Sequence, residues 1–142
     1  VIRRLITAAA LCIATVASAK TIGVHVGSWH SAQGYNNVNP GLMVRAESGL
    51  TAGAHCNSES RSERFPTAKR CQVAAYLGQH ADWEPTPGLK VSLTGGVLTG
   101  YSRAKVLPFV VPSLLIGDHV RLIYAPRVEP KGVQTASLAL EF

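Results

Sequence analysis

The chain contains five histidines, His25, His30, His55, His80 and His119, and their surroundings decide which chemistry is open to it. No His/Cys cluster stands at the spacing of a metal site, so neither a metal nor another cofactor is expected. Acyl transfer needs a nucleophile or proton acceptor, an orienting group and an oxyanion donor. His30 and Ser58 are of the types that supply the first two, and the Asn57 amide is a donor. The competing reading makes His30 a rim residue and lets Asn57-Ser58 end a strand through local hydrogen bonds. A lipid deacylase or phospholipase would need a serine beside a histidine and a carboxylate. No histidine accompanies Ser137 and Glu141, which ranks that reading last. Cys56 and Cys71 flank one segment, and a disulfide there would close it as a loop, although spacing alone leaves the bond open.

The elements that must hold these residues are strands. Short alternating segments recur between clusters of Gly, Pro, Asn and Ser. Ile22, Val24 and Val26 oppose Gly23, His25, Gly27 and Trp29; Leu50, Ala52 and Ala54 oppose Thr51, Gly53 and His55. Similar phases run through residues 42–47, 71–78 and 89–97, followed by an apolar run over 106–116 and a segment over 120–124. In residues 134–142, Phe142, Leu140, Leu138 and Ala136 share one face, as in the terminal strand of outer-membrane barrels. That makes eight, the even number a bacterial barrel requires. The expected fold is all-β: an eight-stranded antiparallel transmembrane β-barrel, up-and-down. A soluble β-sandwich also alternates, but it has no need of an apolar face on nearly every strand with small residues opposite.

The first nineteen residues read as a signal peptide. Arg3 and Arg4 precede an apolar run over 5–16, and Ala17-Ser18-Ala19 offers a cleavage site. The run is shorter than the ~20 residues of a membrane-spanning helix. Residues 20–142 then form one domain, and removing Arg3 and Arg4 lowers the net charge from +6 to +4. Export and the lack of a nucleic-acid motif exclude nucleic acid as a partner. The basic group Arg61, Arg64, Lys69 and Arg70 suits an anionic lipid surface or, equally, a solvated loop.

With the N-terminus on the periplasmic side, Ser48-Gly49 and Gly117-Asp118 become tight turns. Residues 31–39, 58–70, 100–105 and 127–132 become outward loops. Residues 79–88, which include His80, then form a turn that is long for its side, and His119 lies at a turn. His25 is expected to point inward as a packed, hydrogen-bonded imidazole. Small inward residues, Gly27, Gly53 and Gly96 among them, either frame a slot for an acyl chain or make room for Trp29, Tyr76 and the histidines. Pro108 and Pro112 lie within the sixth segment, where proline removes a ladder donor. Either the wall opens locally there or the strand begins after Pro112.

The order of these features resembles the lipid A palmitoyltransferase PagP family. The resemblance is carried by Leu107-Pro108-Phe109-Val110-Val111-Pro112-Ser113, by Val120 onward to Ala125-Pro126, and by the strand to Phe142. Upstream it is carried by Gly23-Val24-His25, Trp29-His30 and Tyr35-Asn36-Asn37-Val38-Asn39-Pro40-Gly41, with residues 51–58 in the place of the third strand. It covers most of the chain after Lys20, in order and scattered residues. Uncharacterised exported proteins share the Asn-rich first loop and the Asn-Ser pair. The resemblance implies an outer-membrane barrel, inserted by the barrel-assembly machinery, with an acyl-binding interior and with phospholipid and lipid A as partners. It implies a catalytic His at His25 or His30 and an Asp-Ser pair at Asn57-Ser58. Asn57 departs from that pattern, because an amide can neither act as a base nor hold an imidazolium by charge. The family's amphipathic N-terminal helix is also missing. A non-catalytic structural or surface-interaction barrel is therefore the main alternative.

Overall fold

The computed structural model describes residues 19–126 and 133–142. The segment expected to be the body of a signal peptide, residues 1–18, and the expected fourth loop, residues 127–132, lie outside the described residues. The strands are β1 (Ala19–His30), β2 (Val38–Ala46), β3 (Leu50–Cys56), β4 (Val73–Thr86), β5 (Leu89–Leu98), β6 (Leu107–Ile116), β7 (Val120–Ala125) and β8 (Thr135–Glu141). Each pairs antiparallel with its sequence neighbour, and β8 pairs with β1, so the sheet closes as an up-and-down barrel. Closure leaves no edge strand to be covered. At one end the joins are tight, with Gly49, Gly88 and Gly117 at positive φ, where a side chain would be strained. Longer loops occupy the other end.

The two faces are inverted relative to a soluble protein. Among the described residues, eleven polar or charged residues are buried against five apolar ones, while Ile22, Leu42, Val73, Leu93, Val110 and Leu122 stand exposed. Trp29 and Tyr124 lie toward the loop end of this apolar belt, and Trp83 and Phe142 toward the turn end. Strands alternating apolar outward and polar inward, with aromatics at both rims, are the pattern of a membrane-embedded barrel.

Three strands differ from the expected reading. In β1 a bulge falls between His25 and Gly27, where two steps on β1 meet one on β8. The bulge shifts the phase by one, so Gly27 and Ser28 both face the lumen and His30 follows them inward. Trp29, expected inside, is 60% exposed on the outer face. Pro40 of β2 sits opposite the same irregularity, where a missing donor is tolerated. In β4 the strand continues through residues 79–86, so His80 is a buried strand residue and the turn is confined to Pro87-Gly88. In β6 both prolines lie within the strand.

The β6 prolines coincide with a one-sided seam. β6 pairs with β5 along its whole length, from Leu98↔Leu107 to Leu89↔Ile116. Among the described residues it pairs with β7 only from Ser113↔Ile123 to Ile116↔Val120. Above that point β7 remains paired to β8, through Ala125↔Thr135, but not to β6. Pro108 and Pro112 are four residues apart, so their missing donors fall on the same side of the strand. Among the described residues, the β6–β7 ladder is thus interrupted at Val111 and Pro112, beside Tyr124 and Ala125.

Candidate functional site

The turn end of the lumen is closed by charge. Glu141 of β8 accepts four hydrogen bonds, from Arg121 Nε at 2.5 Å and Nη2 at 3.1 Å and from Arg45 Nη2 at 2.8 Å and Nη1 at 3.3 Å. Arg121 Nη1 also donates to Ser92 Oγ at 2.7 Å and Ser113 Oγ at 2.8 Å. Asp82 accepts from Ser92 Oγ at 2.5 Å and lies 2.8 Å from His80 Nε2, whose Nδ1 meets Thr94 Oγ1 at 2.7 Å. Two guanidinium groups face two carboxylates, which is how buried charges persist away from water. The network ties six strands together and lies directly below the end of the β6–β7 ladder.

Above this floor lies an aromatic and imidazole layer. His25 Nε2 meets Tyr76 Oη at 3.0 Å, the His25 and His55 rings are 5.4 Å apart, and Tyr76 stands edge-on to Phe109 at 6.1 Å. Glycines make this layer fit. A Cβ at Gly53 would lie 2.5 Å from the Tyr76 ring, and one at Gly23 would lie 2.7 Å from Met43. The glycines therefore accommodate inward side chains, and a cavity of about 220 Å³ still remains. Its apolar lining includes Met43, Leu98, Phe109, Val111, Ile123 and Ala139. An apolar cavity of about 150 Å³ already takes up benzene. Val111 of β6 and Ala125 of β7, which flank the interruption of the ladder, both line the cavity.

The expected site residues occupy three different settings. His25, His30 and Ser58 line the cavity, the last two at its loop end. His30 Nδ1 meets Asn37 Oδ1 at 2.8 Å and its ring stacks on Tyr35 at 5.1 Å. His30 and Ser58 share a rim, and the ring nitrogen of His30 is engaged by Asn37. Asn57 is fully buried and turned away from the cavity. Its Nδ2 donates to the Gly100 carbonyl at 2.7 Å, and its Oδ1 accepts from the Glu59 N–H at 2.9 Å. Gly27 lines the cavity at the bulge, and Gly53 underlies Tyr76. Gly96 does not line the cavity: it faces the β4 backbone so closely that a Cβ would overlap the Leu77 carbonyl. Pro108 and Pro112 lie on the outward face beside the seam. Cys56 and Cys71 are joined, closing the β3–β4 loop at its base.

Arg45, Arg121, Glu141 and Tyr101 were not expected as site residues. The first three lie on inward phases at one end, and charges of both signs on inward phases were the readable signal. Tyr101 lies in a loop, where no periodicity points to it.

Fold and site together define a membrane-type eight-stranded barrel with a charged floor and, above it, a cavity lined by both apolar and polar side chains. No protein-family model matches the chain, and no curated protein matches it in sequence.

Proposed function

We propose that this protein is an outer-membrane barrel that takes one lipid acyl chain into its lumen, as a PagP-like lipid acyltransferase or a chain-binding relative of it. One observation carries the reading: among the described residues the ladder between β6 and β7 stops at Ser113↔Ile123, and the next inward residues on either side, Val111 and Ala125, line the cavity. A hydrocarbon chain can enter from the bilayer through such a gap without crossing the polar loops, and it gains apolar contact throughout. Phospholipid and lipid A are the partners in this reading, with insertion by the barrel-assembly machinery after signal-peptide cleavage. In the enzymatic form, His30 takes the proton of the lipid A hydroxyl as that oxygen attacks the ester carbonyl and gives it to the lysophospholipid oxygen as the ester bond breaks, while Ser58 holds the ester, both at the loop end of the cavity.

A second reading, the non-catalytic barrel, is favoured by the commitments at the rim. Asn57 spends its amide on Gly100 and Glu59, and His30 pairs with Asn37 instead of Ser58. The test is to reconstitute the barrel with lipid A and a phospholipid carrying a labelled acyl chain. Labelled lipid A is expected, and its formation is expected to stop in His30→Ala and Ser58→Ala while the heat-modifiable fold persists. Chain uptake without labelled lipid A identifies the chain-binding relative. No uptake by the wild type leaves the non-catalytic barrel.

A further inference from the structure

β4 and β5 bring together a second set of reactive groups, away from the rim. His80 lies directly opposite Thr94 in the ladder, and Asp82 lies directly opposite Ser92. His80 and Asp82 are two residues apart on one strand, so they share a face. His80 Nε2 lies 2.8 Å from Asp82 Oδ1, and His80 Nδ1 lies 2.7 Å from Thr94 Oγ1. The same Asp82 oxygen accepts from Ser92 Oγ at 2.5 Å and faces Arg121 Nη2 at 3.7 Å. A carboxylate only accepts, so the imidazole proton lies on Nε2 and Nδ1 offers its lone pair to the Thr94 hydroxyl. The His80 side chain is 2% exposed and does not line the cavity, whereas Thr94 does. Thr94 is thus the point at which this line of groups meets the cavity. Among the described residues no other imidazole holds a carboxylate at one nitrogen and a hydroxyl at the other. His25 meets Tyr76, His30 meets Asn37, His119 meets a backbone carbonyl, and His55 Nδ1 has no partner.

We propose that Thr94, His80 and Asp82 form a catalytic site of their own, a nucleophile–base–carboxylate triad that hydrolyses short-chain esters of apolar alcohols. A hydroxyl becomes a nucleophile when a base within hydrogen-bond reach takes its proton and a third group orients that base. Such a triad is recognised by these roles and distances, not by the order of its members in the chain. Thr94 Oγ1 attacks the ester carbonyl carbon as its proton passes to His80 Nδ1. The bond to the alcohol oxygen then breaks, and His80 gives the proton to that oxygen. Water next attacks the acyl-Thr94 ester and gives a proton to His80, which returns it to Thr94 Oγ1 as the carboxylic acid leaves. Positive charge for the developing oxyanion comes from Arg121, which lines the same cavity and bonds to Ser92, the next residue of β5 on the Thr94 face toward the floor. Thr94 stands immediately above that floor, so only a small acyl group fits beside it. The cavity above, of about 220 Å³ and walled by Leu98, Phe109 and Val111, has room for an alcohol of one aromatic ring, since about 150 Å³ already takes up benzene. Asp82 touches no substrate; it positions the imidazole and faces its charge while the ring holds the proton. The site needs only that an ester reach the cavity, and it does not depend on chain uptake.

The experiment incubates the folded, detergent-solubilised barrel with p-nitrophenyl acetate and follows nitrophenolate release. An acid quench and peptide mass spectrometry then locate the acetyl group. Release with the acetyl group on Thr94 is expected. Thr94→Val is expected to lose both, and Thr94→Ser, which keeps the hydroxyl, to retain both. Asp82→Asn is expected to lower the maximal rate by about 10²–10⁴-fold, because the imidazole proton is no longer held on Nε2, with the half-saturating ester concentration unchanged. No acetylation of the wild type, or acetylation confined to other residues, overturns the proposal. Release at the wild-type rate in Thr94→Val overturns it too, as does an unchanged maximal rate in Asp82→Asn. If Thr94→Val or Asp82→Asn loses its heat-modifiable band, the position of the acetyl group in the wild type and in Thr94→Ser decides the matter.

Discussion

The two ends of the lumen solve the problem of polar groups inside a barrel in opposite ways. At the turn end Arg45, Arg121, Glu141 and Asp82 neutralise one another and draw β2, β4, β7 and β8 together, with Ser92 and Ser113 bringing in β5 and β6. At the loop end the cavity wall carries the neutral side chains Ser58, Tyr101 and Thr135, with the half-exposed His30. The β6–β7 ladder exists only beside the charged end, and it stops at Ser113, the residue that Arg121 grips. Charge networks admit few arrangements because every partner lost is costly, whereas neutral hydroxyl groups tolerate exchange of one partner for another. The difference explains how one short barrel is held firmly at one end while its β6–β7 ladder is interrupted toward the other.

The largest expected effect lies at the firm end. Glu141→Gln keeps the shape of the side chain but removes the charge that faces two buried guanidinium groups. Breaking a buried pair in this way costs about 3–5 kcal/mol. Urea titration of the variant in detergent micelles is expected to show that loss, or no folded band at all. A stability equal to the wild type would mean that the floor does not hold the barrel closed.

A smaller effect is expected at the loop end, and its sign separates two accounts of Asn57. If Asn57 is a catalytic aspartate that lost its charge, Asn57→Asp improves the site. The geometry expects the reverse, because the carboxylate would lose the donor to Gly100 and set an oxygen against that carbonyl. An unsatisfied buried group of this kind costs about 1–3 kcal/mol. Asn57→Asp is expected to lower the unfolding midpoint and to expose the β3–β4 loop to protease. An unchanged midpoint with faster acyl transfer would restore the catalytic account.

Much of this architecture was legible in the alternation. Eight apolar faces, the turns at Gly49 and Gly117 and the loop flanked by Cys56 and Cys71 follow from period and punctuation alone. The failures have physical causes. His80 and Asp82 are polar because they face a polar lumen, and inside a barrel that polarity reads as a loop. Trp29 was placed inward because the bulge after His25 leaves no mark beyond a glycine that permits it without requiring it. Gly96 reads as lumen space, but its missing side chain makes room for the backbone of β4. The prolines of β6 signalled a defect in the wall, and only pairing on both sides reveals that it faces β7 and not β5. The joined corner at Asn57 and Gly100 involves residues 43 apart, a distance at which neither spacing nor period carries information.

The central claim is that a chain lies inside the barrel, and the most direct test asks which side of the wall it touches. A lysophospholipid with a nitroxide midway along its chain is added to the isotopically labelled barrel in detergent micelles, and side-chain methyl signals are followed by NMR. The account expects strong broadening of the inward methyl groups of Val111, Ile123 and Ala139, which line the cavity. Broadening confined to the outward methyl groups of Leu93, Val97 and Leu122, with the inward three untouched, would place the lipid on the outer belt alone and contradict it.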